Sequence, residues 1–131
     1  MPIAGEIDER RDLVVLRASG TVTKQDALNV INSTTAATKG LAIAKDVLFL
    51  LDERASLHQI DLAAILGIKE NIEGWLKIYP RADIKCALVA SGANHKPVAE
   101  LWRAVTDAYP SLHAHTKVLS SEAAALTWLK H

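Results

Sequence analysis

The sequence predicts an α/β protein built on a mainly parallel sheet of four or five strands, with an N-terminal antiparallel hairpin strand and about four helices. Two apolar runs, residues 46–52 and 84–91, are typical of central strands buried on both faces of a sheet. Segments with helical spacing of apolar residues alternate with these runs, which favours parallel strands joined by helices. The length of 131 residues fits one domain, so we expect a single domain over residues 1–131.

The N-terminal region predicts two strands followed by a helix. Residues 3–8 and 13–19 are extended in character and are joined by the polar stretch "ERRD", which suits a hairpin turn. Thr23 can cap the amides of a helix over residues 24–39, and Asp26 stands three residues later, where a capping box places its acid. This segment therefore predicts the order ββα.

The second predicted helix follows the strand at residues 46–52. Asp61 is placed to cap it, and Pro80 ends it. Gly67 and Gly74 lie seven residues apart and so share one face of this helix. They would allow either close packing against a neighbour or a hinge, and close packing is the more common use.

The last third of the chain predicts a helix, a strand and a terminal helix. Apolar residues recur at helical spacing between Pro97 and Pro110, which predicts a third helix over that stretch. A short strand is expected at residues 116–119, and Ser120 or Ser121 would cap the last helix. The complete predicted order is ββαβαβαβα.

The composition excludes several classes of function. Fifteen basic residues balance fifteen acidic residues, so the chain lacks the broad positive field needed to bind nucleic acid. The single Cys86 cannot form an intramolecular disulfide, and no apolar run suits a signal peptide or stable membrane insertion, which favours a cytoplasmic location. A net charge near zero and an exposed edge strand favour self-association as a homodimer.

Four stretches carry a resemblance to a known family: "LVVLRASGTVTKQDALNVI", "DVLFLLDERAS", "IKCALVAS" and "SSEAAALTWL". Over nearly the whole chain, the sequence resembles the STAS-like family of small bacterial proteins. These are relatives of anti-sigma-factor antagonists, and one branch is grouped with CRAL-TRIO lipid carriers. The resemblance implies a sheet of four or five strands with packed helices, usually no enzymatic activity, and a role as a binding or regulatory module.

The chain departs from that family at one functional position. Antagonists of the STAS type carry a phosphorylatable serine in an Asp-Ser-x-Gly setting, after the central strand. Here the corresponding region, residues 51–62, reads "LDERASLHQIDL". Ser56 is the nearest hydroxyl and no glycine follows it, so the motif leaves its phosphorylation open.

Two loops are the candidate binding sites, because ligands gather beyond the carboxyl ends of the strands in open α/β sheets. A loop containing Gly92 and Lys96 could cradle an anion at a helix start, although Ser91 or Asn94 would more commonly serve there as a helix cap. The candidate ligand- or partner-binding residues in the two loops are Asp52, Arg54, Ser56, His58, Ser91, Asn94 and His95.

Catalytic and metal chemistry find little support in the sequence. Ser56 with His58, or Ser91 with His95, could form a nucleophile and base, but a nucleophile elbow of the form Gly-x-Ser-x-Gly is missing. The His-x-His pair formed by residues 113 and 115 is more typical of a polar strand edge than of a metal site. We therefore expect no enzymatic activity, no catalytic residues, no metal and no cofactor.

Two functions remain as predictions. The first is a non-enzymatic cytoplasmic binding or regulatory module that acts through a protein partner, as the STAS-like resemblance implies. The alternative is a carrier or sensor of a small apolar or lipid-like ligand held between the sheet and the helices. The alternative rests on an interior rich in alanine and poor in aromatic residues.

Overall fold

A computed structural model describes residues 2–90 and 92–131 and shows the predicted α/β fold. One five-stranded sheet has the strand order β1-β2-β3-β4-β5, and four α-helices pack on it. Two short 3₁₀ turns, at Ala42–Ala44 and Pro110–Leu112, precede the third and fifth strands. The elements are β1 (Ile3–Asp8), β2 (Leu13–Ala18), α1 (Lys24–Ala37), β3 (Asp46–Leu51), α2 (Leu62–Ile78), β4 (Ile84–Val89), α3 (Lys96–Ala108), β5 (Ala114–Leu119) and α4 (Glu122–Lys130).

The strand pairing confirms an antiparallel hairpin on an otherwise parallel sheet. Strand β1 runs antiparallel to β2, with Ile3 opposite Ala18. Strands β2, β3, β4 and β5 are parallel to one another, and Leu48 of β3 lies between Val15 of β2 and Ala87 of β4. The carboxyl ends of these four strands therefore share one edge of the sheet, and their amino ends share the other.

Side-chain caps begin α1, α2 and α4 as the sequence predicts. The Thr23 hydroxyl accepts a hydrogen bond from the Asp26 amide, and the Asp26 carboxylate accepts one from the Thr23 amide, which completes the capping box. Asp61 accepts from the Ala64 amide at 2.8 Å, and Ser121 caps α4. These local hydrogen bonds fix where three helices begin.

The start of α3 differs from the prediction. Its N-cap residue is His95, whose side chain makes no capping hydrogen bond. Asn94 is exposed one residue earlier, so its predicted capping role is wrong. Ser91, the other predicted cap, lies outside the described residues. Pro97 stands in the first turn, where its missing N–H leaves no hydrogen bond unmade.

The helices divide unequally between the two faces of the sheet. Helices α1, α2 and α3 cover one face, whose core includes Ile65, Cys86 and Leu88. Helix α4 alone covers the other face, where Ala125 packs with Leu48 and Ala87. The longest described helix, α2, has 17 residues, and none of the described helices is long and apolar enough to cross a membrane.

The chain leaves α1 through a tight turn that requires glycine. Gly40 has φ +87°, and a Cβ built there would lie 2.4 Å from the ring of Tyr79. An exposed glycine in α2, Gly74, has nothing within 4 Å of an added Cβ. The two positions therefore differ both in backbone conformation and in the space around an added Cβ.

We predict that Gly40→Ala lowers the free energy of unfolding by about 2 kcal/mol or more, because alanine is strained at positive φ and its methyl group would clash with Tyr79. Gly74→Ala should raise that free energy by about 0.5–1 kcal/mol, since alanine favours the helix. Urea unfolding followed by circular dichroism measures both. Equal effects of the two substitutions would contradict this account of the turn.

Candidate functional site

The two loops predicted to carry the site meet at the carboxyl edge of the sheet. The loop after β3 runs from Asp52 to the start of α2, and its backbone pairs with the segment after β2: Ser56 N donates to Gly20 O at 2.8 Å, and Val22 N donates to Ser56 O at 3.0 Å. His95, at the start of α3, reaches this loop through a 2.7 Å hydrogen bond to the Ala55 carbonyl. The two loops therefore lie next to each other, as predicted.

His95 is turned into the protein and is only 3% exposed. Because a carbonyl oxygen can only accept, the Nε2 atom of His95 donates to Ala55, and the neutral ring then carries its lone pair on Nδ1. That Nδ1 atom has no hydrogen-bond partner among the described residues. His95 thus ties α3 to the other loop, and the predicted open anion cradle is wrong for this residue.

Asp52 and Arg54 are exposed directly after β3. The Asp52 carboxylate accepts a hydrogen bond from the Arg54 amide at 2.8 Å, so the main chain of Arg54 makes this contact. The Ser19 hydroxyl, followed by the amides of Arg54 and Ala55, lowers the pKa of Asp52 against the opposing effect of burial. These contacts hold the loop and leave the Arg54 side chain at the surface.

Ser56 and His58 come together as a hydroxyl–imidazole pair. The Ser56 Oγ and His58 Nδ1 atoms lie 2.5 Å apart. A working triad also needs an acid that orients the imidazole. No hydrogen bond joins a described acidic side chain to the remaining nitrogen of His58.

An apolar cavity lies between the sheet and helices α1, α2 and α3. It has a volume of about 200 Å³ and is lined by side chains from these helices and from strands β1 to β5. Val47 and Phe49 of β3 face it and are only partly buried, whereas Leu48 on the other face is 3% exposed. Helices cover both faces of this central strand, as predicted, but Leu50 on the second face is also only partly buried.

Small side chains leave this space open. Ala27 of α1, Ala99 of α3 and Ala114 of β5 line the cavity at positions where larger residues would fill it. Among the described residues, the only lining side chains that are not apolar are Thr34, Thr35 and Arg81. An apolar cavity of about 150 Å³ is already large enough to stay dry and bind benzene.

Arg81 is a charged residue at the cavity that the sequence did not single out as a candidate. It follows α2 at the amino edge of the sheet, and its guanidinium donates hydrogen bonds to the main-chain carbonyls of Leu112 and Ile43. Burial lowers the pKa of Arg81 to about 10, so the side chain remains charged at neutral pH. In the sequence, its one distinguishing property is its position as a charged residue between Pro80, which ends α2, and the apolar strand β4.

Cys86 also lines the cavity, and its burial raises the pKa of the thiol to about 11. The thiol is therefore protonated at neutral pH, as its apolar surroundings in the sequence predict. Outside the cavity, His113 Nδ1 and His115 Nε2 lie 3.0 Å and 3.7 Å from the carboxylate oxygens of Asp83. Within residues 2–90 and 92–131, no group of three such side chains is arranged to hold a metal ion.

Comparisons of this chain with protein-family models, with curated proteins and with solved structures found no match. The STAS-like resemblance therefore stays a prediction. What the molecule can do has to be argued from its own geometry.

We predict that His95→Ala lowers the free energy of unfolding by about 2–3 kcal/mol, because it removes a buried ring and leaves the Ala55 carbonyl without its donor. His58→Ala is the matched control, since His58 is exposed and should change that value by no more than about 0.5 kcal/mol. Urea unfolding measures both. A loss of less than about 0.5 kcal/mol for His95→Ala would show that the hydrogen bond from His95 to Ala55 does not stabilise the fold.

We also predict a change in the titration of Asp52. Because its folded pKa lies below the ordinary value of 3.8, the ionised carboxylate stabilises the fold above that pH, and the contribution is lost as the pH falls through the lowered value. Ser19→Ala should move the pKa of Asp52 back toward 3.8. A carboxyl-detected NMR titration reports this, with Asp8 as the internal control because Arg11 lowers its pKa independently.

Proposed function

We propose that this protein binds a small apolar or lipid-like molecule in the cavity between the sheet and helices α1 to α3, as a carrier or sensor. The observation that carries the proposal is the cavity of about 200 Å³ with an almost entirely apolar lining. Protein interiors are normally close-packed, with few voids larger than a water molecule. A space of this size therefore calls for a reason.

The energetic cost of the empty cavity supports the same conclusion. The side chains around an unfilled apolar space lose the free energy of the van der Waals contacts that a filled core would have. A ligand that restores the missing contacts would recover part of this free energy and would stabilise the folded protein.

The helices above the cavity are held by specific polar contacts. Asn71 and Trp75 of α2 both donate to the side-chain oxygen of Asn32 in α1, at 2.9 Å and 2.7 Å. Gly67 of α2 receives the side chain of Lys24, whose Cε atom would lie 2.6 Å from an added Cβ. The two hydrogen bonds to Asn32 join α1 to α2 and support a defined binding volume.

The regulatory module implied by the STAS-like resemblance stays a second prediction. The exposed Asp52 and Arg54 at the carboxyl edge, with the exposed Leu62 that follows them, are the surface it would use. We propose the cytoplasm as the location for either function, on the basis of Cys86 as a free, buried thiol.

We predict that neutral apolar probes, namely toluene, 1-hexanol and 1-octanol, cause saturable NMR shifts of methyl groups that line the cavity, such as those of Ile31 and Ile68. Ala99→Leu, which adds three carbon atoms at the cavity wall, should weaken this binding by about tenfold or more. Ala104→Leu, at an exposed position of the same helix, is the control and should leave it unchanged.

The outcome that overturns the proposed function is equally specific. If none of the three probes shifts the cavity methyl groups in a saturable way, the cavity does not bind apolar ligands. If Ala104→Leu weakens binding as much as Ala99→Leu does, the probes bind somewhere other than the cavity.

A further inference from the structure

We propose that Arg81 binds the carboxylate of an amphipathic ligand whose apolar chain lies in the cavity, so that the ligand class is a medium-chain monocarboxylic acid. This inference rests on the proposed function and names its substrate class. Among the described residues, Arg81 is the only charged side chain that lines the cavity. Three properties of Arg81 support binding of a carboxylate: its remaining N–H donors, its position and its charge.

The guanidinium of Arg81 has donors left over. It carries five N–H groups. Its Nε and Nη2 atoms donate to the Leu112 carbonyl, and its Nη1 atom donates to the Ile43 carbonyl. One N–H on each of the two terminal nitrogens therefore remains. A carboxylate has two oxygens, and each can accept a hydrogen bond from one of these N–H groups.

Arg81 also stands where a headgroup would meet water. A pocket of about 340 Å³ on the amino-edge side is lined by seven residues, and among the described residues Arg81 is the only one that lines both this pocket and the apolar cavity. A ligand with its chain in the cavity and its headgroup at Arg81 would thus place its polar end toward this outer pocket. We call this pocket the vestibule.

The charges around the vestibule favour an anion. Lys77 and Arg81 both line it. Its one carboxylate, Glu73, is already bound by the Ser111 hydroxyl at 2.8 Å and by Lys69 at 3.0 Å. The nearby Asp83, which is exposed, lies 3.0 Å from His113 Nδ1 and adds one negative charge outside this lining.

Arg81 itself forms no salt bridge with any described residue. A partly buried charge without a direct counter-ion is costly because it has lost part of its hydration, and the charge of Asp83 offsets only part of that loss at Arg81. An anionic ligand would supply that counter-ion. The main-chain carbonyls of Leu112 and Ile43 hold the guanidinium in place for it.

The size of the cavity limits the apolar part of the ligand. Since about 150 Å³ accommodates benzene, about 200 Å³ suits a chain of about six to eight carbons. A carboxylate is the smallest anionic headgroup that uses both remaining N–H groups of Arg81. Octanoate is therefore the probe, and 1-octanol is its neutral counterpart.

We expect the wild-type protein to bind octanoate about tenfold to a hundredfold more tightly than 1-octanol at neutral pH, as a charge-assisted hydrogen bond would produce. Arg81→Met should abolish this preference while changing the affinity for 1-octanol less than threefold. Arg10→Met, at an exposed turn position, removes the same charge and should change neither affinity. Methyl NMR titrations give all of these affinities.

A measurement on the wild-type protein covers the case in which Arg81→Met fails to fold. Octanoate carrying ¹³C at its carboxyl carbon is titrated with acid while bound. Contact with Arg81 should lower the pKa of the bound carboxyl group below that of free octanoate. A raised pKa would place the carboxyl group in apolar surroundings and would overturn the inference.

The outcomes separate the two proposals. If 1-octanol binds in the cavity and octanoate binds no more tightly, the role of Arg81 is refuted and the proposed function stands. If neither probe binds, both proposals fail. If octanoate is preferred equally by the wild-type protein and by a folded Arg81→Met variant, the carboxylate is recognised elsewhere and the inference is overturned.

Discussion

The sequential order of the parallel strands governs this structure. When β2, β3, β4 and β5 lie side by side in chain order and every connection has the same hand, the three connecting helices must cross the same face of the sheet. One face then carries α1, α2 and α3, with 14, 17 and 13 residues, while the nine-residue α4 covers the other. On the α4 side Ala125 packs against Leu48 and Ala87, and the cavity lies beneath the three helices on the opposite face.

This arrangement gives the two edges of the sheet different characters. At the carboxyl edge, hydrogen bonds from His95 Nε2 and from the backbone of residues 52–60 tie the loops to each other. At the amino edge, Arg81 meets only main-chain carbonyls. The general rule that ligands gather at the carboxyl ends of strands describes sites that lie outside the sheet. It does not describe a ligand held underneath the helices.

Local signals predicted the fold well, and non-local packing limited the prediction of the site. Thr23, Asp61 and Ser121 cap helices because each bonds an amide only three residues away, which a sequence displays directly. The orientation of His95 depends on a carbonyl 40 residues away, and the contacts of Arg81 span more than 30 residues. The alanine-rich interior indicated the apolar-ligand alternative, but it did not locate the space or its charged end.

The position of Cys86 has a consequence for access. Its sulfur borders the cavity and Cys86 is 8% exposed, so separation of the overlying helices would increase the access of a thiol-modifying reagent. The alkylation rate of this single cysteine would accordingly report the rate of helix opening. A bound ligand that covers the sulfur would lower the alkylation rate. The same opening of the helices would limit the rates of ligand binding and release.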